Sequence, residues 1–312
     1  MVMLILGISL LQPDPANLRH LFEENLAHSE REYGMTDART ARAARDLGLF
    51  LRGENDAAGA YRALHEAVEI DDKALGAEDS QTLANISALA SVAPPLEAES
   101  LWRRAADGKD SAISSKAFAA LGELRERAGD RAGAAAMYTR AVEKEEAASG
   151  RDSAETAVRL NSLALVSNPR EAIPLLERAV AVDRKRRGER HPETATAESN
   201  LSGELLALGR VAESVRIGTL ALSNFEYTLG PQHPRTAAAA SNLADAKRAA
   251  GDAGAAERLY RRALRIDEQA LGATNPETLN DVKNLADFLS ETGREKEARA
   301  LEQRYASTGT PR

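Results

Sequence analysis

Residues 241–264, SNLADAKRAAGDAGAAERLYRRAL, align without a gap to residues 283–306, KNLADFLSETGREKEARALEQRYA. Leucine, alanine and glycine recur at matching places, and the offset is 42 residues. In each stretch an apolar segment reaches a glycine, and five residues later a small residue stands inside a second apolar segment. A small residue there lets two helices cross closely, so the pattern predicts a repeated helix pair. Because one pair cannot bury its apolar side alone, we expect a stacked array of pairs.

The joints between successive pairs repeat the same spacing. His191-Pro192, His233-Pro234 and Asn275-Pro276 are 42 residues apart, and each begins three residues after a glycine. Glycine tolerates the backbone that ends a helix, Asp, Ser and Asn are usual N-cap residues, and proline is favoured directly after the cap. We therefore interpret the histidines as caps rather than as a catalytic or metal-binding pair. The predicted cap residues are Asp37, Asp79, Ser153, His191, His233 and Asn275.

The repeat continues towards the N-terminus, but the length of the repeat unit changes. Two repeats, at residues 86–98 and 161–172, have a first helix that is shorter by four residues. Four residues make about one helical turn, so the apolar face stays in phase. The register predicts seven helix pairs in residues 37–306, starting near residues 37, 79, 111, 153, 191, 233 and 275. Residues 1–36 are expected to form a capping helix or helix pair, and residues 307–312 a frayed tail.

Composition and charge restrict the class of protein. Charged residues make up 29% of the chain and aromatic residues 4%, a mixture that favours helices over sheets. The net charge of −7 argues against nucleic acid as a partner. Residues 1–11 are apolar but too short to span a membrane. We expect a packed helix there and a cytoplasmic location, with export as the alternative if residues 1–12 are a signal remnant.

Catalytic signatures are absent from the sequence. The chain has no cysteine, which excludes a disulfide, a cysteine-based zinc site and a thiol nucleophile. It also lacks the GxxxxGK[ST], GxSxG and HExxH motifs. An enzyme built on His191 and His233 is the alternative, but no third ligand stands at a corresponding place. We therefore predict no enzyme, no cofactor and no metal site.

The repeat units resemble tetratricopeptide repeats. The resemblance rests on Leu243-Ala244 in the first helix, Gly251 in the turn, and Ala263-Leu264 in the second helix, with similar pairs such as Leu47-Gly48. The 42-residue unit, with joints LGPQHPRT and LGATNPET, is similar to the subclass found in kinesin light chains. The resemblance implies an all-α fold, a right-handed superhelical α-solenoid of stacked antiparallel helix pairs. It also implies a protein or peptide as the partner, held in a concave groove that the first helices line.

Candidate groove residues follow from the helical period around the packed leucine of each first helix. Three arginines form a basic strip near the N-terminal end, and mixed polar and charged residues follow in later repeats. The candidates are Arg42, Arg45, Arg52, Lys116, Asn161, Ser199, Ser241, Asp245, Asn280, Lys283 and Asp287. A ladder of asparagines joins them at Asn200, Asn242 and Asn284, 42 residues apart.

Two functions remain open from the sequence. The asparagine amides have the donors and acceptors to hold the backbone of an extended peptide, or to bond structurally to neighbouring groups. The first function is a peptide-binding scaffold or adaptor. The second is a self-associating structural protein whose groove or terminal helices contact another copy, to which apolar residues 1–11 would contribute.

Overall fold

The computed structural model describes residues 15–306, and these residues form two compact units that adjoin in sequence between Asp130 and Arg131. All regular elements in this part of the chain are α-helices, which confirms the predicted all-α class. The predictions for residues 1–11 and for the tail at 307–312 lie outside the described residues.

Unit 1 ends at Asp130, and its described part contains six helices. They are α1 (Pro15–Tyr33), α2 (Ala38–Gly53), α3 (Ala57–Ala74), α4 (Ser80–Ala90), α5 (Pro95–Ala106) and α6 (Ser111–Arg127). The helix α1 packs against α2, where the rings of Phe22 and Phe50 stack with their centroids 5.0 Å apart.

Unit 2 begins at Arg131 and contributes nine helices to the described chain. They are α7 (Arg131–Ser149), α8 (Ala154–Val166), α9 (Pro169–Arg186), α10 (Pro192–Ala207), α11 (Val211–Thr228), α12 (Pro234–Ala249), α13 (Ala253–Leu271), α14 (Pro276–Glu291) and α15 (Glu295–Ala306). We call α2, α4, α6, α8, α10, α12 and α14 first helices, and α3, α5, α7, α9, α11, α13 and α15 second helices.

The joints are helix caps, as the sequence predicted. Nδ1 of His191 accepts a hydrogen bond from the backbone N–H two residues later at 3.1 Å, and Nδ1 of His233 does the same at 3.0 Å. Oδ1 of Asn275 accepts the equivalent bond at 2.9 Å. Side chains also cap α2, α4 and α8 at Asp37, Asp79 and Ser153. Each histidine therefore uses a ring nitrogen for a structural bond.

A second hydrogen bond, not predicted from the sequence, closes most joints. A buried hydroxyl six residues after the joint glycine donates to that glycine's carbonyl oxygen at 2.8–2.9 Å. This bond satisfies a carbonyl that the end of the preceding helix leaves without an intrahelical partner. The donors are Thr40, Ser114, Thr156, Thr194, Thr236 and Thr278.

Small residues bring the helices of a pair together, again as predicted. Ala256 and Ala298 are 0% and 3% exposed at the crossings of α12 with α13 and of α14 with α15. In α11 a serine takes this place, and Ser214 and Ser202 exchange hydroxyl-to-carbonyl hydrogen bonds of 2.8 and 2.9 Å. The polar substitution is therefore fully satisfied inside an otherwise aliphatic core.

The two shortened first helices end differently. The helix α4 has 11 residues and α8 has 13, whereas α10, α12 and α14 have 16. At the end of α8, the Arg131 guanidinium donates to the carbonyl oxygens of Leu165, Val166 and Ser167 at 2.9–3.2 Å. After the end of α4, residues 92–94 line a cleft of about 440 Å³ together with residues of α3 that include Tyr61 and Arg62. None of the described helices combines the length and the apolar character needed to cross a membrane.

Candidate functional site

The asparagine ladder lies on the first helices of unit 2 and links each one to the helix before it. Nδ2 of Asn200 donates to Oδ1 of Asn161 at 2.9 Å, joining α10 to α8. Nδ2 of Asn242 donates to Ser199 Oγ at 3.0 Å, joining α12 to α10. The third bond, from Asn284 Nδ2 to Ser241 Oγ at 3.2 Å, joins α14 to α12. Six of the candidate residues thus come together as three hydrogen-bonded rungs.

Each rung leaves hydrogen-bonding capacity unused. A primary amide has two N–H donors and one carbonyl acceptor, and the rung takes a single N–H of Asn200, Asn242 and Asn284. These three residues are only half-buried, whereas Ser199 and Ser241 beneath them are 7% and 6% exposed. The ladder therefore combines a structural bond with an amide edge that can meet another chain.

Among the other groove candidates of unit 2, Asp245 already has polar partners, whereas three others are exposed to solvent. The hydroxyl of Tyr260 donates to the carboxylate of Asp245, and Arg248 lies 3.8 Å from the same carboxylate. This charge is therefore already held by two neighbours. In contrast, three residues spaced along α14 are exposed: Asn280, Lys283 and Asp287.

The predicted basic strip of unit 1 is partly engaged as well. Arg45 pairs with Asp46 at 3.2 Å, and Nη1 of Arg52 donates to Ser91 Oγ at 3.0 Å. Arg42 is exposed and has no ion pair among the described residues. Lys116 is exposed on α6, apart from the strip in sequence. Arg42 is therefore the arginine of the strip that is most available to an anionic group.

The sequence interpretation missed a column of buried acids at the ends of second helices, five residues before the joint glycine. Asp71 accepts a hydrogen bond from Asn85 Nδ2 at 2.7 Å, and Glu145 lies 3.7 Å from Arg159. Asn85 and Arg159 occupy matching positions, three residues after the buried threonine of the first helix. Each of these buried acids therefore faces an amide or a guanidinium, as a buried charge requires. The sequence contained a signal for these buried acids, because acidic residues recur five positions before several of the joint glycines.

The last repeat breaks this rule, because Asp281 stands where Asn85 and Arg159 stand. Asp267 and Asp281 are 4% and 5% exposed, and Oδ1 of the first and Oδ2 of the second have no hydrogen-bond partner among the described residues. Burial, with a contribution from the charge of Glu277, raises the pKa of Asp267 to about 6. Burial, followed by repulsion from Asp267, raises the pKa of Asp281 to about 7. The Ser241 hydroxyl opposes this rise, which connects Asp281 to the last rung of the ladder.

The histidines that the sequence singled out serve as caps, and no metal-binding cluster involves them. In the part of the chain that the structure describes, no group of three or more His, Cys, Asp or Glu side chains is arranged to hold a metal ion. Of the remaining three histidines, His20 and His65 lie 3.6 and 3.9 Å from glutamates of their own helices, and His28 is exposed on α1.

The arrangement of short antiparallel helix pairs, glycine turns and small crossing residues defines an α-helical repeat scaffold. Residues 205–269 and 235–307 match the tetratricopeptide repeat family model. No match was found among curated proteins. The matched segment covers the last repeats, and the likeness to solved structures shows that the same fold extends over most of the chain. The family model thus confirms the predicted tetratricopeptide repeats in residues 205–307, and a solved structure of kinesin light chain TPR-like repeats shares the fold.

Three solved structures illustrate this likeness. Nearly identical TPR-like repeats assigned to a kinesin light chain of Podosopora anserina share 23% identity over 64% of this chain and 94% of that one, with a TM-score of 0.54. BtubC (BKLC) from P. vanneervenii shares 21% identity over 83% of this chain and 94% of that one, with a TM-score of 0.53. A Rap protein complexed with Competence and Sporulation Factor shares 16% identity over 86% of this chain and 76% of that one, with a TM-score of 0.62.

Proposed function

We propose that the protein is a non-catalytic scaffold that binds a peptide segment of a partner protein on the face of its first helices. Tetratricopeptide repeats are scaffolds of protein–protein interaction, so a protein partner follows from the repeat type. The asparagine ladder of unit 2 is the observation that carries the finer proposal. Its amide edges repeat along three first helices, which suits an extended backbone whose N–H and C=O groups also repeat.

The basic strip of unit 1 supplies the second part of the proposal. Arg42 has no ion pair among the described residues, and Arg52 is held only by a neutral hydroxyl. An acidic side chain of the ligand would gain charge-assisted hydrogen bonds there without displacing a carboxylate. We therefore expect the strip of unit 1 to favour a ligand segment that carries negative charge.

The experiment is a capture of native partners by the purified protein and by three variants with matched numbers of substitutions. The first variant changes the ladder, and it carries alanine at Asn200, Asn242 and Asn284. The second changes the basic strip, and it carries alanine at Arg42, Arg45 and Arg52. The control removes three exposed arginines of second helices, and it carries alanine at Arg170, Arg258 and Arg265.

A partner that the control retains and the ladder variant loses would support binding on the first-helix face. If the strip variant also loses this partner, the result would support a contact between the basic strip and an acidic side chain of the ligand. Equal capture by all four proteins would contradict the proposal. Circular dichroism of each variant establishes that the helices remain folded.

The alternative of self-association is tested on the same samples. Light scattering coupled to size exclusion gives the mass of the full chain and of a chain that lacks residues 1–11. An oligomer that the deletion abolishes, together with the absence of any captured partner, would favour the self-associating structural protein over the peptide-binding scaffold.

A further inference from the structure

Ion pairs connect consecutive second helices at a fixed register. An acidic residue four positions before the joint glycine of one second helix pairs with an arginine six positions after the small crossing residue of the next. In unit 1 the pair joins α3 to α5, and in unit 2 pairs join α7 to α9, α11 to α13, and α13 to α15. The pairs are Asp72–Arg104, Glu146–Arg178 at 2.6 Å, Glu226–Arg262, and Glu268–Arg304 at 2.7 Å.

One step of this series in unit 2, between α9 and α11, lacks the pair. Arg184 stands at the acidic position and Leu220 at the arginine position. No carboxylate–guanidinium bridge can therefore form there, and a cleft of about 450 Å³ opens between the two helices. The first step of unit 1, between α1 and α3, also lacks the ion pair. There both positions are occupied by glutamates, Glu30 and Glu66, so neither position carries a positive charge.

The cleft holds two guanidinium groups that are not neutralised by a bound carboxylate. Arg190 lies over the ring of Tyr227, with its Cζ 4.3 Å from the ring centroid, and Arg216 of α11 also lines the cleft. Neither has an ion pair within 4.0 Å in residues 15–306. Three acids besides the buried Glu198 lie nearby, and Glu177 is one of them. Glu213 is held by Arg210 at 2.7 Å, while Glu189 lines the cleft.

The floor of the cleft is a satisfied buried network. Glu198 is 0% exposed, and its carboxylate accepts hydrogen bonds from Arg184 at 2.7 Å and from Asn224 at 3.1 Å. Arg184 is thereby turned inward and its charge is balanced. The lining guanidinium groups without a carboxylate oxygen within 4.0 Å among the described residues are those of Arg190 and Arg216.

An apolar recess adjoins the charged part. It has a volume of about 220 Å³, and Arg184 and Arg216 line both spaces. Its aliphatic lining consists of Val180, Leu201, Leu205 and Ile217, and the carboxylates of Glu177 and Glu213 also line it. On the rim, Tyr227 and Leu220 are 70% and 37% exposed. The site thus offers a place for a carboxylate and, directly beside it, a place for one apolar side chain.

We propose that this cleft, on the second-helix face, binds an acidic peptide segment of a partner in which a glutamate is followed by an apolar residue. The ligand's carboxylate takes the place of the acid that the neighbouring steps contain, and the apolar side chain fills the recess. Charge complementarity and the apolar recess argue together for a peptide, since a free inorganic anion would use only the arginines. This site is separate from the first-helix face and does not depend on the function proposed above.

The test uses the full chain, a probe peptide Ac-GSELSG-NH2, and titration calorimetry. Two peptides serve as ligand controls, one with glutamine in place of glutamate and one with serine in place of leucine. The double variant Arg190→Ala, Arg216→Ala removes the free charge. The matched protein control is Arg258→Ala, because Arg258 is exposed at the position equivalent to Arg216 one repeat later.

Leu220→Glu is the sharpest variant, because it places a carboxylate of the chain itself in the cleft, at the position where the neighbouring second helices carry arginine. Leu220 is 37% exposed, so the substitution places no charge in the core. We expect it to abolish peptide binding, while Leu220→Gln, of the same size, keeps it.

The expected result is binding of the glutamate–leucine peptide, weakened roughly tenfold or more by either ligand change or by the double variant, as for loss of a charge-assisted bond or of a buried apolar side chain. Arg258→Ala should bind like the unaltered protein. Absence of peptide binding, binding of inorganic phosphate alone, equal losses with Arg258→Ala, or retained binding by Leu220→Glu would each overturn the proposal. Circular dichroism of every variant confirms that loss of binding is not loss of fold.

Discussion

The buried carboxyl pair in the last repeat makes the stability of unit 2 depend on pH in an unusual direction. The pKa of Asp281 is raised from 3.8 to about 7, so the folded chain holds this proton more tightly than the unfolded chain does. The stability that the protonated carboxyl of Asp281 contributes is therefore fully present below about pH 4 and is lost as the pH rises through 7. Most surface carboxylates that form ion pairs act in the opposite sense.

The magnitude follows from linkage. Each pH unit across that window changes the free energy of unfolding by about 1.4 kcal/mol for one proton, so the rise to about 7 corresponds to about 4 kcal/mol as an upper limit. Asp267, whose pKa is about 6, titrates within the same window and adds to the slope between pH 4 and pH 6.

The perturbation is Asp281→Asn, which keeps the shape of the side chain and removes its charge. The amide can also donate a hydrogen bond towards Asp267, whose Oδ1 has no partner among the described residues. We expect the variant to match the unaltered protein near pH 4 and to be more stable by roughly 2–4 kcal/mol at pH 8, since the cost of the buried charge is absent.

Urea unfolding followed by far-UV circular dichroism at pH 4, 5, 6, 7 and 8 measures this difference. Fluorescence of Trp102, the single tryptophan, reports unit 1 in the same samples and should not change. The matched control is Asp287→Asn, because Asp287 lies exposed on the same helix and its substitution changes the net charge equally. An unchanged pH slope in Asp281→Asn, or a loss of stability at pH 8, would refute the reasoning.

Three further changes test the structural features described above. His233→Ala removes the cap of α12 and should cost about 1 kcal/mol, whereas His233→Asn should restore most of it, as thermal unfolding will measure. Arg184→Ala leaves the fully buried Glu198 without its guanidinium partner and should destabilise unit 2 by about 3 kcal/mol, and pairing it with Glu198→Gln should recover part of that loss. Gly251→Ala places a side chain at φ +78° and should cost roughly 1–2 kcal/mol, although open space surrounds the position. If any one of the substitutions His233→Ala, Arg184→Ala or Gly251→Ala leaves the stability unchanged, the structural role given to that residue is wrong.

Much of the repeat architecture could be predicted from the sequence, because it depends on local rules. Helix caps, joint glycines and small crossing residues act within a few residues of one another, so their spacing in the chain is also their spacing in the fold. His191 and His233 could be interpreted correctly because Asp, Ser and Asn stand at the same register position in sister repeats. The missing turns of α4 and α8 were likewise visible as a change in spacing.

The sequence by itself determined the helices, their register and the type of repeat. Only the tertiary structure decided which polar groups meet, because residues about 40 positions apart approach one another through the stacking of neighbouring pairs. The asparagine ladder was visible as a periodic pattern, but its serine and asparagine partners were not. The meeting of Asp267 with Asp281, and the cleft left by Arg184 and Leu220, depend on burial and on contacts between helices, and these physical quantities exist only once the chain has packed.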